Sequence, residues 1–198
     1  GHLFKKMVRD DLKLIYLGGV PGVGKTTLGK LASEKFPGLK YVSSGEVKRP
    51  QARKQFGQEL SSLDQERTYK INEWFLDRIK KYSASGLYLV DTHYTYPLKD
   101  SSFVKLLPEN YGDNIDLFVL IEATAEEVFN RRIKRGRDRD SVNVDFIRRE
   151  LEMEREEAYS LSNRLNKPLE ILTNSSSILE GVESLLRMLK KYEEALRS

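Results

Sequence analysis

The chain has 198 residues, 32% of them charged, and a formal net charge of +4. That length supports one domain with a real core, and so small a charge excess gives no argument by itself for a nucleic-acid partner. The absence of cysteine excludes disulfides and thiolate chemistry, and no run approaches the ~18 apolar residues of a membrane span, so a cytoplasmic protein without a membrane partner is expected.

In chain order, Leu12 and then Leu14, Ile15, Tyr16 and Leu17 form an apolar run of strand length. Gly19-Val20-Pro21-Gly22-Val23-Gly24-Lys25-Thr26 follows, a complete G-x-x-x-x-G-K-[ST] loop, and Thr27-Leu28-Gly29-Lys30-Leu31-Ala32 opens a helical pattern. A short second strand is expected over 39–43, then Ser44-Gly45-Glu46. Ile71, Trp74, Phe75, Leu76 and Ile79 mark one buried face of a long helix over 62–82, broken by Ser85-Gly86. Residues 87–91, Leu-Tyr-Leu-Val-Asp, read as a strand covered on both faces. A loop over 92–100 and a short helical piece come next, then a fourth strand over 115–121. Thr124-Ala125-Glu126-Glu127 is a capping box that opens another helix. From Arg131 to Asp140 six residues in ten are basic. A long helix over 144–165, a strand over 169–172 after Pro168, and a helix over 177–196 complete the chain. This alternation predicts an α/β P-loop NTPase fold: a five-stranded parallel sheet wrapped by helices, with ligands at the carboxyl ends of the strands. Residues 1–198 read as a single domain.

The chemistry starts at the glycine loop. Its backbone N–H groups and the helix N-terminus form a cradle of dipoles for a polyphosphate. Lys25 is expected to reach the β- and γ-phosphates of a bound nucleotide, and Thr26 to offer its hydroxyl to Mg2+. Gly19, Pro21, Gly22, Val23, Gly24 and Thr27 complete the nucleotide-binding set. Asp91 ends a buried strand, a position from which a carboxylate can hold the metal or its water shell. Gly136, flanked by Arg135, Arg137 and Arg139, has the makings of a short lid over 131–142. Guanidinium groups there would stabilise charge on a transferring phosphoryl group. A guanine-reading GTPase is excluded, because Asn166-Lys167-Pro168 runs into Leu169 where the specificity aspartate should stand, and Asp91-Thr92-His93-Tyr94 lacks the D-x-x-G switch.

On residues 19–30, 90–93 and 131–139 the chain resembles the adenylate kinases. Two branches are similar: the archaeal-type enzymes and the nuclear adenylate kinase-like ATPases that assist small ribosomal subunit maturation. The resemblance implies a nucleoside monophosphate-binding segment over 44–82, with Ser44, Gly45 and Arg53 at the acceptor and His93 between two nucleotides. It also implies that Lys25, Thr26 and Asp91 hold Mg-ATP, that Arg131 or Arg132 clamps the phosphates with Arg137 and Arg139, and that homo-oligomers form. In the archaeal-type pattern an arginine precedes Lys-Leu-Ser at the long helix; here Gln58 takes its place before Glu59-Leu60-Ser61. Three functions follow. A nucleoside monophosphate kinase would move the γ-phosphoryl of ATP onto AMP. A regulatory ATPase would act on a protein or ribonucleoprotein partner. A kinase for a non-nucleotide acceptor, such as a sugar or small acid, would need Asp91 or Glu46 as a general base.

Overall fold

The computed structural model describes residues 13–83, 86–136, 143–174 and 177–197, side chains through 193. Five strands form one parallel sheet: β1 (Leu14–Gly18), β2 (Leu39–Ser43), β3 (Leu87–Asp91), β6 (Leu117–Glu122) and β7 (Leu169–Thr173), in the order β2-β3-β1-β6-β7. The two central strands explain the layering. Side chains alternate along a strand, so Ile15 and Leu17 of β1 face one apolar layer while Leu14 and Tyr16 face the other.

The first layer is closed by Leu28 and Ala32 of α1 (Lys25–Lys35) and by Val182, Leu185 and Leu189 of α6 (Ile178–Arg197). Phe75, Leu76 and Ile79 of α3 (Gln65–Ser83), with Ala158 and Leu161 of α5 (Val144–Leu165), close the second. Asp116, the one charge in the fourth predicted strand, accepts from the N–H groups of Lys13 and Leu14 at 2.7 and 2.8 Å and so fixes the start of β1. The α4 helix (Ala125–Lys134) begins at the predicted capping box: Thr124 Oγ1 accepts from the Glu127 N–H at 3.2 Å and donates to its carboxylate at 2.9 Å.

Three features depart from the sequence reading. A helix, α2 (Ser44–Phe56), follows β2 directly, although Pro50 lies within it. Only Ser44, Lys48 and Ala52 of α2 are buried, a stripe too thin and too polar to give an amphipathic signal. The start of α3 moves from residue 62 to Gln65, because 60–62 form a 3-10 turn and Asp64 caps the helix through the Arg67 N–H at 2.9 Å. The segment expected to be a loop and a helical piece contains an antiparallel hairpin, β4 (Thr95–Pro97) and β5 (Phe103–Lys105), before a 3-10 turn over Glu109–Asn114. Arg137 and Arg139, with most of the predicted lid, lie outside the described residues.

Candidate active site

The glycine loop joins β1 to α1 at the carboxyl edge of the sheet. Gly24 caps α1 at φ 86°, a left-handed conformation that favours glycine. At Gly18 the constraint is space instead: a Cβ there would stand 2.2 Å from the buried ring of Tyr94.

The loop's shape is imposed from outside. The Pro21 carbonyl accepts from Arg132 Nε at 2.9 Å, the Gly22 carbonyl from Arg131 at 3.2 Å, and the Val23 carbonyl from Asn174 Nδ2 at 2.7 Å. Across a trans peptide the carbonyl and the next N–H point in opposite directions. Outward carbonyls at 21 and 23 therefore turn the N–H groups of Gly22 and Gly24 toward the cavity that both residues line. At the loop's entry, Gly19 N–H donates to Glu154 of α5 at 3.0 Å. Glu154 also accepts from the N–H groups of Tyr94 and Thr95 at 2.9 and 2.8 Å and from the Thr95 hydroxyl at 3.0 Å. One buried carboxylate thus joins the glycine loop to the turn after β3. Burial pushes its pKa up, opposed by these donors and by the Lys25 ammonium.

Inside the loop, Lys25 is buried and its ammonium stands 3.3 Å from Asp91. It donates to the carbonyls of Thr92 and, at 3.0 Å, Gly19. Burial lowers its pKa, opposed by Asp91 and Glu154. The other Asp91 oxygen accepts from Thr26 Oγ1 at 2.7 Å and from the Tyr41 hydroxyl. Burial together with Asp91 raises the Tyr41 pKa, which keeps that phenol protonated. His93 Nδ1 lies 2.7 Å from the Gly19 carbonyl and 3.2 Å from Lys25 Nζ. Burial first, and then the Lys25 ammonium, hold its pKa well below the ordinary range, so the ring is neutral.

These groups line a cavity of about 530 Å3. Pro21, Gly22, Gly24, Lys25 and Thr26 come from the glycine loop, and Asp91, Thr92 and His93 from the end of β3. Ser44, Gly45, Lys48 and Arg49 come from α2, Thr68 and Asn72 from α3, and Leu98, Val104 and Leu106 from the hairpin region.

The structure brings most of the predicted residues together, with corrections. Val23 is buried in the core, and neither it nor Gly19 nor Thr27 lines the cavity. Arg53 turns away to an exposed pair with Glu59 at 3.0 Å, and its neighbour Arg49 faces the cavity instead. Arg131 and Arg132 belong to α4 rather than to a lid. The Arg132 guanidinium is buried in a bidentate pair with Glu150 at 2.9 Å, and Arg131 is engaged by the carbonyls of Gly22 and Asn174. Through these bonds both arginines brace the loop from its outer side. Arg135, at the end of α4, does reach the cavity. Sequence reading missed Lys48, Asn72, Glu150 and Glu154. The i, i+4 spacing of the two glutamates was a usable signal, but their partners are distant in sequence.

A glycine-loop parallel sheet of this kind defines a P-loop NTPase domain. The model of a protein family described as an AAA domain matches residues 18–148, and the chain belongs to that family. Among named proteins it is 28% identical over 183 residues to an adenylate kinase of Methanothermobacter thermautotrophicus, covering 89% of this chain and 98% of that one. An adenylate kinase of Methanococcus aeolicus is 29% identical over 190 residues, covering 90% and 98%. Of solved structures, a gluconokinase from Sinorhizobium meliloti superposes with a TM-score of 0.62 at 15% identity, covering 94% of this chain and 96% of that one. A sugar kinase from a Janibacter species gives 0.59 at 17% identity, covering 90% and 94%. These two likenesses concern the fold alone.

Proposed function

We propose that the chain is an ATP-dependent nucleoside monophosphate kinase, with AMP as the favoured acceptor. The observation that carries this reading is a single cavity walled by the glycine loop on one flank and by α2 and α3 on the other. Donor and acceptor phosphates can then meet without solvent between them. Full-length similarity to archaeal adenylate kinases supports the same reading. Lys25 would bind the β- and γ-phosphates, and the N–H groups of Gly22 and Gly24 would cradle them. Ser44 and Gly45 would open the acceptor side, while Arg135, Arg137 and Arg139 would supply positive charge from the lid. An acceptor that is already a phosphate dianion needs little deprotonation, so no general base is assigned.

Thr26 and Asp91 suit a hard divalent cation by donor type, and their oxygens already adjoin at 2.7 Å. Among the described residues no cluster of three or more His, Cys, Asp or Glu side chains encloses a metal alone. Mg2+ would therefore be shared with the nucleotide, where it would neutralise phosphate charge. No helix among the described residues is long and apolar enough to cross a membrane.

The test is ADP formation from ATP and Mg2+ with AMP, with other monophosphates, or with no acceptor. Strong dependence on one monophosphate is expected. ADP and inorganic phosphate released at one slow rate regardless of acceptor would overturn the reading in favour of the partner-directed ATPase, the alternative for which Gln58 speaks.

A further inference from the structure

Lys48 lies in α2 with its side chain buried, 3% exposed, at the wall of the cavity. Its Nζ donates to Asn72 Oδ1 at 2.9 Å and stands 5.8 Å from the centre of the Phe75 ring. The Asn72 amide is fixed in that sense, because its Nδ2 donates to the Thr68 carbonyl at 2.8 Å. An ammonium has three donors, and among the described residues no carboxylate lies within salt-bridge distance of this one. Lys25 differs, since Asp91 neutralises it at 3.3 Å. A buried cation whose nearest partners are one amide oxygen and an aromatic ring is incompletely compensated. It also faces a space large enough for a ligand.

We propose that Lys48 is the residue that selects the acceptor, binding an anionic group on it and so excluding neutral acceptors. The inference rests on reading this cavity as the acceptor site, and an acceptor phosphate is the anion that reading supplies. Burial, and then the nearby Lys25 and Arg49, hold the Lys48 amine down to about 7. Lys25 and Arg49 act on it directly, and the other charged groups that line the same cavity are Glu46 on its own helix, Glu59 just before the 3-10 turn, Asp91 at the end of β3 and Arg135 at the end of α4, with the neutral ring of His93. A bound anion raises the pKa of the ammonium it touches. Acceptor binding therefore takes up a proton, and as pH rises above about 7 acceptor affinity falls by up to about tenfold per unit.

The experiment measures KM for ATP and for AMP, gluconate and glucose between pH 6 and 9 in the wild-type chain, Lys48→Met and Lys48→Arg. For the anionic acceptor used, Lys48→Met should raise KM at least about tenfold while KM for ATP stays within about twofold, which also shows that the variant folds. Lys48→Arg, charged throughout, should keep the acceptor and flatten the pH dependence. Use of gluconate in place of AMP, with the same Lys48 dependence, would sink the monophosphate reading and leave this inference standing. Efficient use of glucose, turnover with no acceptor dependence, or an unchanged acceptor KM in Lys48→Met would overturn it.

Discussion

Lys25 and Asp91 show how much one pair of residues carries. They adjoin inside the site, and each also holds a second loop element, the Thr92 carbonyl or the Thr26 hydroxyl. Lys25→Ala should lower kcat by about 10²–10³ through lost charge stabilisation and weaken ATP binding; near-normal turnover would sink the assignment. Arg132 has the opposite character. Arg132→Ala leaves the Glu150 carboxylate buried without its partner, a loss of about 3–5 kcal/mol that urea denaturation would register. A loss below about 1 kcal/mol, the range of exposed pairs, would mean that the pair is not structural. The sequence marked both arginines as basic but could not say which way they face. That depends on Glu150, in the next helix, and on carbonyls more than a hundred residues earlier.

Elements with a strong period were legible, and those built by caps and edges were not. The helix over 144–165 has the predicted bounds, since Asn143 caps it through the Phe146 N–H at 3.1 Å and Asn166 ends it in a left-handed turn. The α2 helix escaped, although Ser43 accepts from the Glu46 N–H at 3.3 Å and Gly57 closes its far end, both readable as start and stop signals. Its polar surface belongs to a cavity rather than to a core, so hydrophobic periodicity could not report it. At the same scale, α5 acts on the glycine loop through Glu154. Glu154→Gln sets an amide N–H2 against backbone donors, so the loop must shift. ATP KM should rise by more than about tenfold, while far-ultraviolet circular dichroism stays unchanged. An unaltered KM would mean that the loop holds its shape without this carboxylate.

For the whole molecule, the strand–loop–helix alternation was enough to place the sheet, its parallel sense and the glycine loop at its carboxyl edge. What it could not supply was the set of buried charges, because burial of Lys48, Glu150 and Glu154 is decided by tertiary packing. These charges make stability depend on pH. Lys48 titrates near 7 in the folded chain and near its ordinary 10.5 when unfolded. The unfolded state therefore binds more protons between those values, and this group makes the nucleotide-free protein more stable as pH rises through that window. Below about 7 its penalty is complete. Lys48→Met should accordingly raise Tm by a few degrees at pH 6 and by less at pH 9. An equal shift at both would show that the amine is not held down by burial.

The bracing of the glycine loop has an evolutionary corollary. Arg131 and Arg132 from one helix, Glu154 from another and Asn174 after the last strand each secure a different peptide of it. The nine residues from Gly19 to Thr27 are thus not a portable part. Transplanted between the strand and helix of another scaffold, they would keep their sequence signature and lose their shape. The heritable unit is the loop together with four distant side chains, which must be retained or replaced in concert.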